Sequence, residues 1–377
     1  MIMNHVNPYT GLAWKDDPVI AEVEGYNEES GAMIWGGKSV TKETFARFDA
    51  QYQSWLKAKY KTLEALSKAW KTNSIKSFSQ ITVPRRLISG AKAGTIKDRD
   101  FVLFCNKLLF DTSTWYEAVL RSTGYKGLFC QDNICSWLGA VAVRYEKSQV
   151  AIKNKYFSHP SKVMKVGSTV QLNSSVGAQA SYWCTMNATR FADRPFVVTE
   201  FNHCFWNSYQ HEGGLVVGAY SALQDFDGML IHADAVIPAL SKSLDNFSVG
   251  NSPVLRASEF LSTCLFLRGD VSRSPHRVDI EIPKSQLDDS RSLSSTQNKI
   301  GLLCGMTVSF PDAAQRPQGV ATPARPNIVI KAGKGARFSG TTGWSVETLE
   351  DKDTNFSLDA FVNKLKQKSI LKKDNFS

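Results

Sequence analysis

The sequence predicts an α/β fold in which short parallel strands alternate with crossover helices, followed by a small β-rich region. Three observations carry that expectation. Brief apolar runs recur along residues 18–24, 127–131, 150–156, 196–200 and 228–232. Between several of them lie stretches with apolar residues every three or four positions, the period of a helix with one buried face. Past Gly269-Asp270 this rhythm stops, and proline and glycine become frequent.

In the first run Val19, Ile20, Ala21 and Val23 lead into Gly25-Tyr26-Asn27-Glu28. An apolar run of that length ending in polar residues reads as a buried strand that delivers side chains at its carboxyl end. Residues 42–70 then read as helix, with Phe45, Phe48, Tyr52, Trp55, Leu56, Tyr60, Leu63, Leu66 and Trp70 on the helical period. A further helix is expected over 98–122. Residues 212–223 supply the helix between the last two strands, and 253–268 a closing one. Together these bound an expected catalytic domain of residues 1–272. Residues 277–282 alternate like an exposed strand inside a β-rich region spanning 273–345. The remaining 346–377 read as a Lys-rich tail, helical over 358–371.

Composition narrows the function classes. With 42% hydrophobic residues and nine tryptophans in 377 residues, the chain is suited to a folded core. No run approaches the length of a membrane span, and no export signal opens the chain as written. The formal charge of +10 permits an acidic partner, yet the lysines and arginines between Lys57 and Arg99 interleave with Leu, Trp and Ala at helical spacing. They read as a solvated helix face, and no nucleic-acid-binding signature accompanies them. Seven cysteines at irregular spacing form no CxxC pair, and His203 and His211 lack the i, i+4 spacing of a zinc helix. Buried free thiols, no metal and no cofactor are the expectation.

Two carboxylates stand out because each follows a strand-like run: Glu28 after Val23-Glu24-Gly25-Tyr26-Asn27, and Glu200 after Val197-Val198-Thr199. In a parallel barrel all strand carboxyl ends open on one face, so both acids can meet there. Glycoside cleavage needs that pair. One carboxylic acid protonates the leaving oxygen while a carboxylate attacks or assists at the anomeric carbon.

The flanking residues add a family likeness. His5-Val6-Asn7-Pro8-Tyr9-Thr10-Gly11, Asp16-Asp17-Pro18 and the stretch from Glu22 to Ser30 resemble the approach to strand four in clan A glycoside hydrolases, whose acid/base follows an asparagine. The stretch from Pro195 to His203, with Thr199-Glu200-Phe201-Asn202, resembles their strand seven, which carries the nucleophile. Tyr156-Phe157-Ser158-His159-Pro160 is similar to strand six, and Leu223-Gln224-Asp225-Phe226-Asp227-Gly228 to the approach to strand eight. Across residues 5–272 the order agrees, and the likeness is greatest to cellulase-like and β-galactosidase-like members.

The resemblance implies a (β/α)8 TIM-barrel type, incomplete here because only strands four to eight have counterparts. It implies a retaining hydrolase of β-linked glycosides, with Glu28 as general acid/base and Glu200 as nucleophile, their carboxyl carbons about 5 to 5.5 Å apart. Asn27 would bind the sugar 2-hydroxyl and Tyr156 would donate to Glu200. Gln131, Asp132 and Asn133, ending the fifth-strand candidate, are expected to contact hydroxyls. For Trp137, Trp183 and Trp206 two readings stand, sugar-stacking platform or core packing. His232 either lines the cleft floor or is structural. The implied partner is a β-glycoside or polysaccharide, with an upstream segment completing the barrel. The competing class is a non-catalytic remnant or carbohydrate-binding scaffold.

Overall fold

The computed structural model describes residues 2–28, 40–85, 94–163, 165–234, 244–288, 290, 292–293, 295–313, 316–317, 319–320, 326, 328–333, 336, 343–348, 356–357, 360 and 363. It divides into two compact units. The first comprises Met1–Gln149, Pro283–Ser292 and Asp312–Pro317; the second comprises Val150–Ile282, Leu293–Pro311 and Gln318–Ser377. The fold is α/β of the barrel type, and among the described residues before 250 two parallel strands lie in the first unit and three in the second.

In the first unit β1 (Glu22–Glu24) pairs in parallel with β2 (Leu128–Cys130). The strand starts later than the apolar run suggests, and Val19 is 77% exposed. The reason lies in Asp17, whose side chain accepts from the Val19 amide at 3.0 Å and whose carbonyl accepts from Ile20 at 3.1 Å. Residues 17–20 therefore form a turn, not a strand.

The long helix expected over 42–70 is two helices, α1 (Lys42–Tyr60) and α2 (Leu63–Trp70). Lys61 sits at φ 65°, and Thr62 caps the new helix by accepting from the Ala65 amide at 3.2 Å. A left-handed residue followed by a capping threonine ends one helix and begins another without breaking the apolar period. Helix α3 (Ile96–Ser122) is capped by Thr95. Tyr52, Leu56, Leu66, Phe101, Phe104 and Cys105 make the core that joins the three. Within it the buried Asp100 carboxylate accepts from Lys59 Nζ at 2.5 Å, Tyr60 Oη at 2.7 Å and Trp70 Nε1 at 2.6 Å. Burial, reinforced by Asp100, pushes the Tyr60 phenol up and keeps it a donor. Helix α4 (Leu138–Lys147) is buried all round from Leu138 to Arg144.

The second unit is built on β3 (Ala151–Phe157), β4 (Phe196–His203) and β5 (Gly228–Ile231), parallel, with β4 central. The register sets Asn154 beside Glu200 and Phe201 beside Ile231. A one-turn helix α5 (Ser181–Cys184) precedes β4, while α6 (Gly213–Gln224) links β4 to β5 as a crossover requires. Helix α7 (Pro253–Phe266) follows, capped by Ser252 with proline in its first turn. Glycines let α6 and α7 touch at backbone distance: a Cβ on Gly214 would meet the Ser258 carbonyl oxygen at 2.2 Å, and one on Gly218 the Ser262 Cα at 2.8 Å.

The same unit holds a five-stranded sheet of β6 (Arg277–Glu281), β7 (Gly305–Ser309), β8 (Ile328–Ala332), β9 (Trp344–Thr348) and β10 (Phe356–Ser357), in the order β10-β9-β8-β6-β7. A short helix, α8 (Ser295–Ile300), lies between β6 and β7. Strand β6 is not exposed, contrary to its alternating pattern. It runs parallel to β7 on one side and β8 on the other, with Val278 and Ile280 fully buried. The polar member of the alternation, Asp279, is also buried, accepting from Thr307 at 2.7 Å and from Ser309. Burial raises its carboxyl above the usual range, the two hydroxyls opposing. Gln224 at the end of α6 accepts from the Met306 amide at 2.8 Å and donates to the Cys304 carbonyl at 2.6 Å, which ties this sheet to the strand-helix layer. Two strands, β9 and β10, carry the sheet beyond residue 345. The helical tail expected over 358–371 lies outside the described residues, apart from Ala360 and Asn363. All seven cysteines are free and six are buried. Among the described residues no helix is long and apolar enough to cross a membrane.

Candidate functional site

The first unit carries Glu28 four residues beyond the end of β1, and the second carries Glu200 within β4; each surrounding can be built from its own residues. At the end of β1 the chain must pass close to the helix layer. A Cβ on Gly25 would meet Phe129 Cε2 at 3.1 Å and Tyr116 Cβ at 3.3 Å, so glycine suits the position. Tyr26 follows, its ring 5.4 Å from that of Tyr116 and tilted by 40°, and donates its hydroxyl to Gln131 Oε1 at 2.7 Å. Burial, with the Asp132 charge adding to it, raises the Tyr26 phenol and keeps it protonated. Beyond it Asn133 grips the chain twice. Its Nδ2 donates to Asn27 Oδ1 at 2.8 Å and its Oδ1 accepts from the Glu28 amide at 3.0 Å. Glu28 itself holds φ 50°, a left-handed conformation that costs energy for a residue with a Cβ.

Gln131, Asp132 and Asn133 follow the end of β2 and pack behind this segment. All three are buried at the end of β2. Asp132 accepts from the Cys135 amide at 3.2 Å, while Arg144 donates at 2.5 Å to the carbonyls of Asp132 and Cys135. Gln131 thus braces Tyr26, and Asn133 braces Asn27 and Glu28.

In the second unit Tyr156, next to last in β3, donates its hydroxyl to Glu200 Oε2 at 2.5 Å. Strand period explains the meeting, since Tyr156 lies two residues beyond Asn154, the register partner of Glu200. Thr199 is fixed by donating to Asn154 Oδ1 at 2.6 Å. Two residues after Glu200, Asn202 is buried and donates to the carbonyls of His232 and, at 3.1 Å, Phe247. It thereby draws the segments after β5 toward the nucleophile candidate. The Phe247 ring lies 5.4 Å from Tyr156 and 5.7 Å from His232, and His232 lies 6.1 Å from Tyr156. His159 meets Tyr156 at 5.5 Å and Phe247 at 5.8 Å. The result is a carboxylate held by a phenol at the edge of a four-ring cluster. Such an arrangement can present one carboxylate oxygen in a fixed direction beside aromatic surface.

The tryptophans separate into two kinds. Trp137 is 6% exposed and spends its indole N–H on Asn106 Oδ1 at 2.8 Å; Trp183 is 1% exposed and donates to Ser221 Oγ at 3.1 Å. Both are core residues, because an indole with its edge and faces enclosed has no platform to offer. Trp206 is half exposed, with its ring 5.1 Å from Phe205. Sequence reasoning missed Asn202 and Phe247 as parts of the site. The first carried a signal, its place two residues beyond Glu200 on the same face; Phe247 lies in a loop with no period to mark it. Among the described residues no group of three or more His, Cys, Asp or Glu side chains is placed to hold a metal.

The model of glycoside hydrolase family 42, described as beta-galactosidase, matches residues 14–212. No curated protein matches the chain. Among solved structures, the agarase AgWH50C is 15% identical with a TM-score of 0.43, over 68% of this chain and 38% of that one. An exo-beta-agarase is 16% identical with a TM-score of 0.38, over 57% of this chain and 30% of the other. The beta-galactosidase from Bacillus circulans sp. alkalophilus is 18% identical with a TM-score of 0.41, over 68% and 38%. The chain thus spans well under half the length of these three.

Proposed function

Because the chain belongs to glycoside hydrolase family 42, the beta-galactosidases, we propose that it carries the catalytic residues of a retaining hydrolase acting on β-linked galactosides or related polysaccharides. The observation that bears most weight is the Tyr156 hydroxyl donated to Glu200. A phenol in that position stabilises an ionised carboxylate and fixes its direction, as an attacking nucleophile needs. In this reading Glu200 attacks the anomeric carbon and forms a glycosyl ester. Glu28 protonates the departing oxygen, then as its conjugate base takes a proton from the incoming water. Asn27, braced by Asn133, offers a contact to the sugar 2-hydroxyl that strengthens as positive charge develops at the ring. In the same reading the half-exposed Trp206 and the exposed His232 offer aromatic surface to the sugar.

A slow, mechanism-trapping sugar tests this directly. Incubation with a dinitrophenyl 2-deoxy-2-fluoro-β-galactoside followed by peptide mass spectrometry is expected to find the fluorosugar on Glu200, and none on a Glu200→Gln variant. Glu28→Gln is expected to accept the label, since dinitrophenolate leaves without protonation, and to release it faster when azide is added. Labelling of another residue, or turnover of galactosides without any trapped ester, overturns the assignment.

A further inference from the structure

Strand β3 ends at Phe157, and the next residue breaks the extended path. Ser158 sits at φ 57°, in the left-handed region, although it is neither glycine nor asparagine and is only 7% exposed. Such a conformation persists where its surroundings over-determine it. Here they do: Ser158 Oγ donates to the Gln171 carbonyl at 3.0 Å and accepts from Asn207 Nδ2 at 2.7 Å. The same Nδ2 reaches the carbonyls of Gln171 at 2.7 Å and Asn173 at 3.0 Å. Asn207 is buried too. A buried, hydrogen-bonded clamp therefore enforces one sharp reversal at the end of the strand that carries Tyr156.

What the reversal accomplishes is the aim of the next side chain. His159 returns edge-on to Tyr156, its ring at 81° and 5.5 Å, and also meets Phe247 at 5.8 Å. Despite these contacts it is exposed. Its Nδ1 lies 3.0 Å from the Pro160 carbonyl. A carbonyl only accepts, so Nδ1 carries the proton and the neutral ring keeps its acceptor lone pair on Nε2. No hydrogen bond to Nε2 is made among the described residues. An oriented acceptor thus stands beside the phenol that holds the nucleophile candidate.

We propose that His159 is a further substrate-positioning residue, whose Nε2 accepts a hydrogen bond from a hydroxyl of the sugar bound at Glu200. This rests on the glycosidase reading above and extends it, assigning to this ring part of the choice among sugars. A site built to hydrogen-bond a hydroxyl discriminates strongly against an analogue without it, because the protein group is then left unpaired.

The test uses the full chain and non-hydrolysable ligands: isopropyl β-thiogalactoside and its 4-deoxy and 6-deoxy analogues, with affinities measured by calorimetry. Wild type is expected to bind the parent at least tenfold more tightly than one deoxy analogue. In His159→Phe, which keeps a ring against Tyr156 but has no acceptor, that preference is expected to collapse to within about twofold. His159→Gln, which retains an acceptor, is expected to restore part of it. A merely structural role would weaken all three ligands alike and leave the ratios unchanged, which overturns the proposal. Wild-type binding of the parent with equal affinity for both analogues overturns it as well while sparing the glycosidase reading. Failure of the wild-type chain to bind any of the three ligands overturns both.

Discussion

At the scale of single residues the clearest dependence is on Asp100. Its carboxylate is fully buried and receives donors from both α1 and α2. Replacing it by alanine strands the Trp70 indole and the Tyr60 phenol, and leaves Lys59 with no counter-charge at this position. Removing one member of a buried charged network costs about 3–5 kcal/mol, with the exposed stem of Lys59 pulling the value toward the lower end. Asp100→Ala is expected to lower the urea midpoint accordingly, and Asp100→Asn, which keeps one acceptor, by less; a loss under about 1 kcal/mol for alanine would mean water replaces the carboxylate. This knot was invisible in the sequence, since its partners lie 30 to 41 positions away. The pair Tyr156 and Glu200 was legible, because strand period and motif agree on it. Asn133 was visible as a strand-end residue but its role was not, because a polar side chain there looks the same in sequence whether it faces a ligand or braces a neighbour.

Among elements, the contact of α6 with α7 sets the sharpest constraint. Gly214→Ala would drive a methyl to 2.2 Å from the Ser258 carbonyl oxygen, so the helices must separate. Overpacking of that kind costs about 1–3 kcal/mol. A lowered melting temperature for Gly214→Ala is expected beside an unchanged or slightly raised one for Gly94→Ala, where a new Cβ meets nothing within 4 Å. Equal behaviour of the two would show that α7 yields freely. Burial on every side is what the sequence did not reveal. Helix α4 is buried all round from Leu138 to Arg144, and β6, whose alternation reads as one exposed face, has a strand on each side and a buried Asp279 satisfied by Thr307 and Ser309. The split of α1 from α2 hides for the opposite reason, since Lys61 and Thr62 interrupt the backbone but leave the apolar period intact.

For the molecule as a whole, pH is the revealing variable. His203 is buried at the end of β4, and burial lowers its value from 6.5 to about 4, with Asn207 and the Glu212 charge offsetting part of the effect. The folded form thus resists a proton that the unfolded chain accepts, and stability drains away as pH falls from about 6.5 toward 4. Glu212 adds to this at the acid end. Burial opposes its ionisation, yet Ser174, Val176 and Ser175 bonds prevail and hold it below the usual carboxylate range. Its stabilisation is present above about pH 4.3, the unfolded value, and is lost below it as the folded group protonates. Unfolding free energy measured in urea is expected to be about 2–3 kcal/mol lower at pH 4.5 than at pH 7 through His203. His203→Gln should flatten that slope, and an unchanged slope would exonerate the histidine. The order β8-β6-β7 has a consequence in time as well as in space. Arg277–Glu281 leaves the ribosome before either strand that will flank it, so two apolar positions, Val278 and Ile280, wait while residues through 309 and then 332 are made. During synthesis β6 is the oldest strand of this sheet and for a while its stickiest, until β7 and then β8 arrive to flank it.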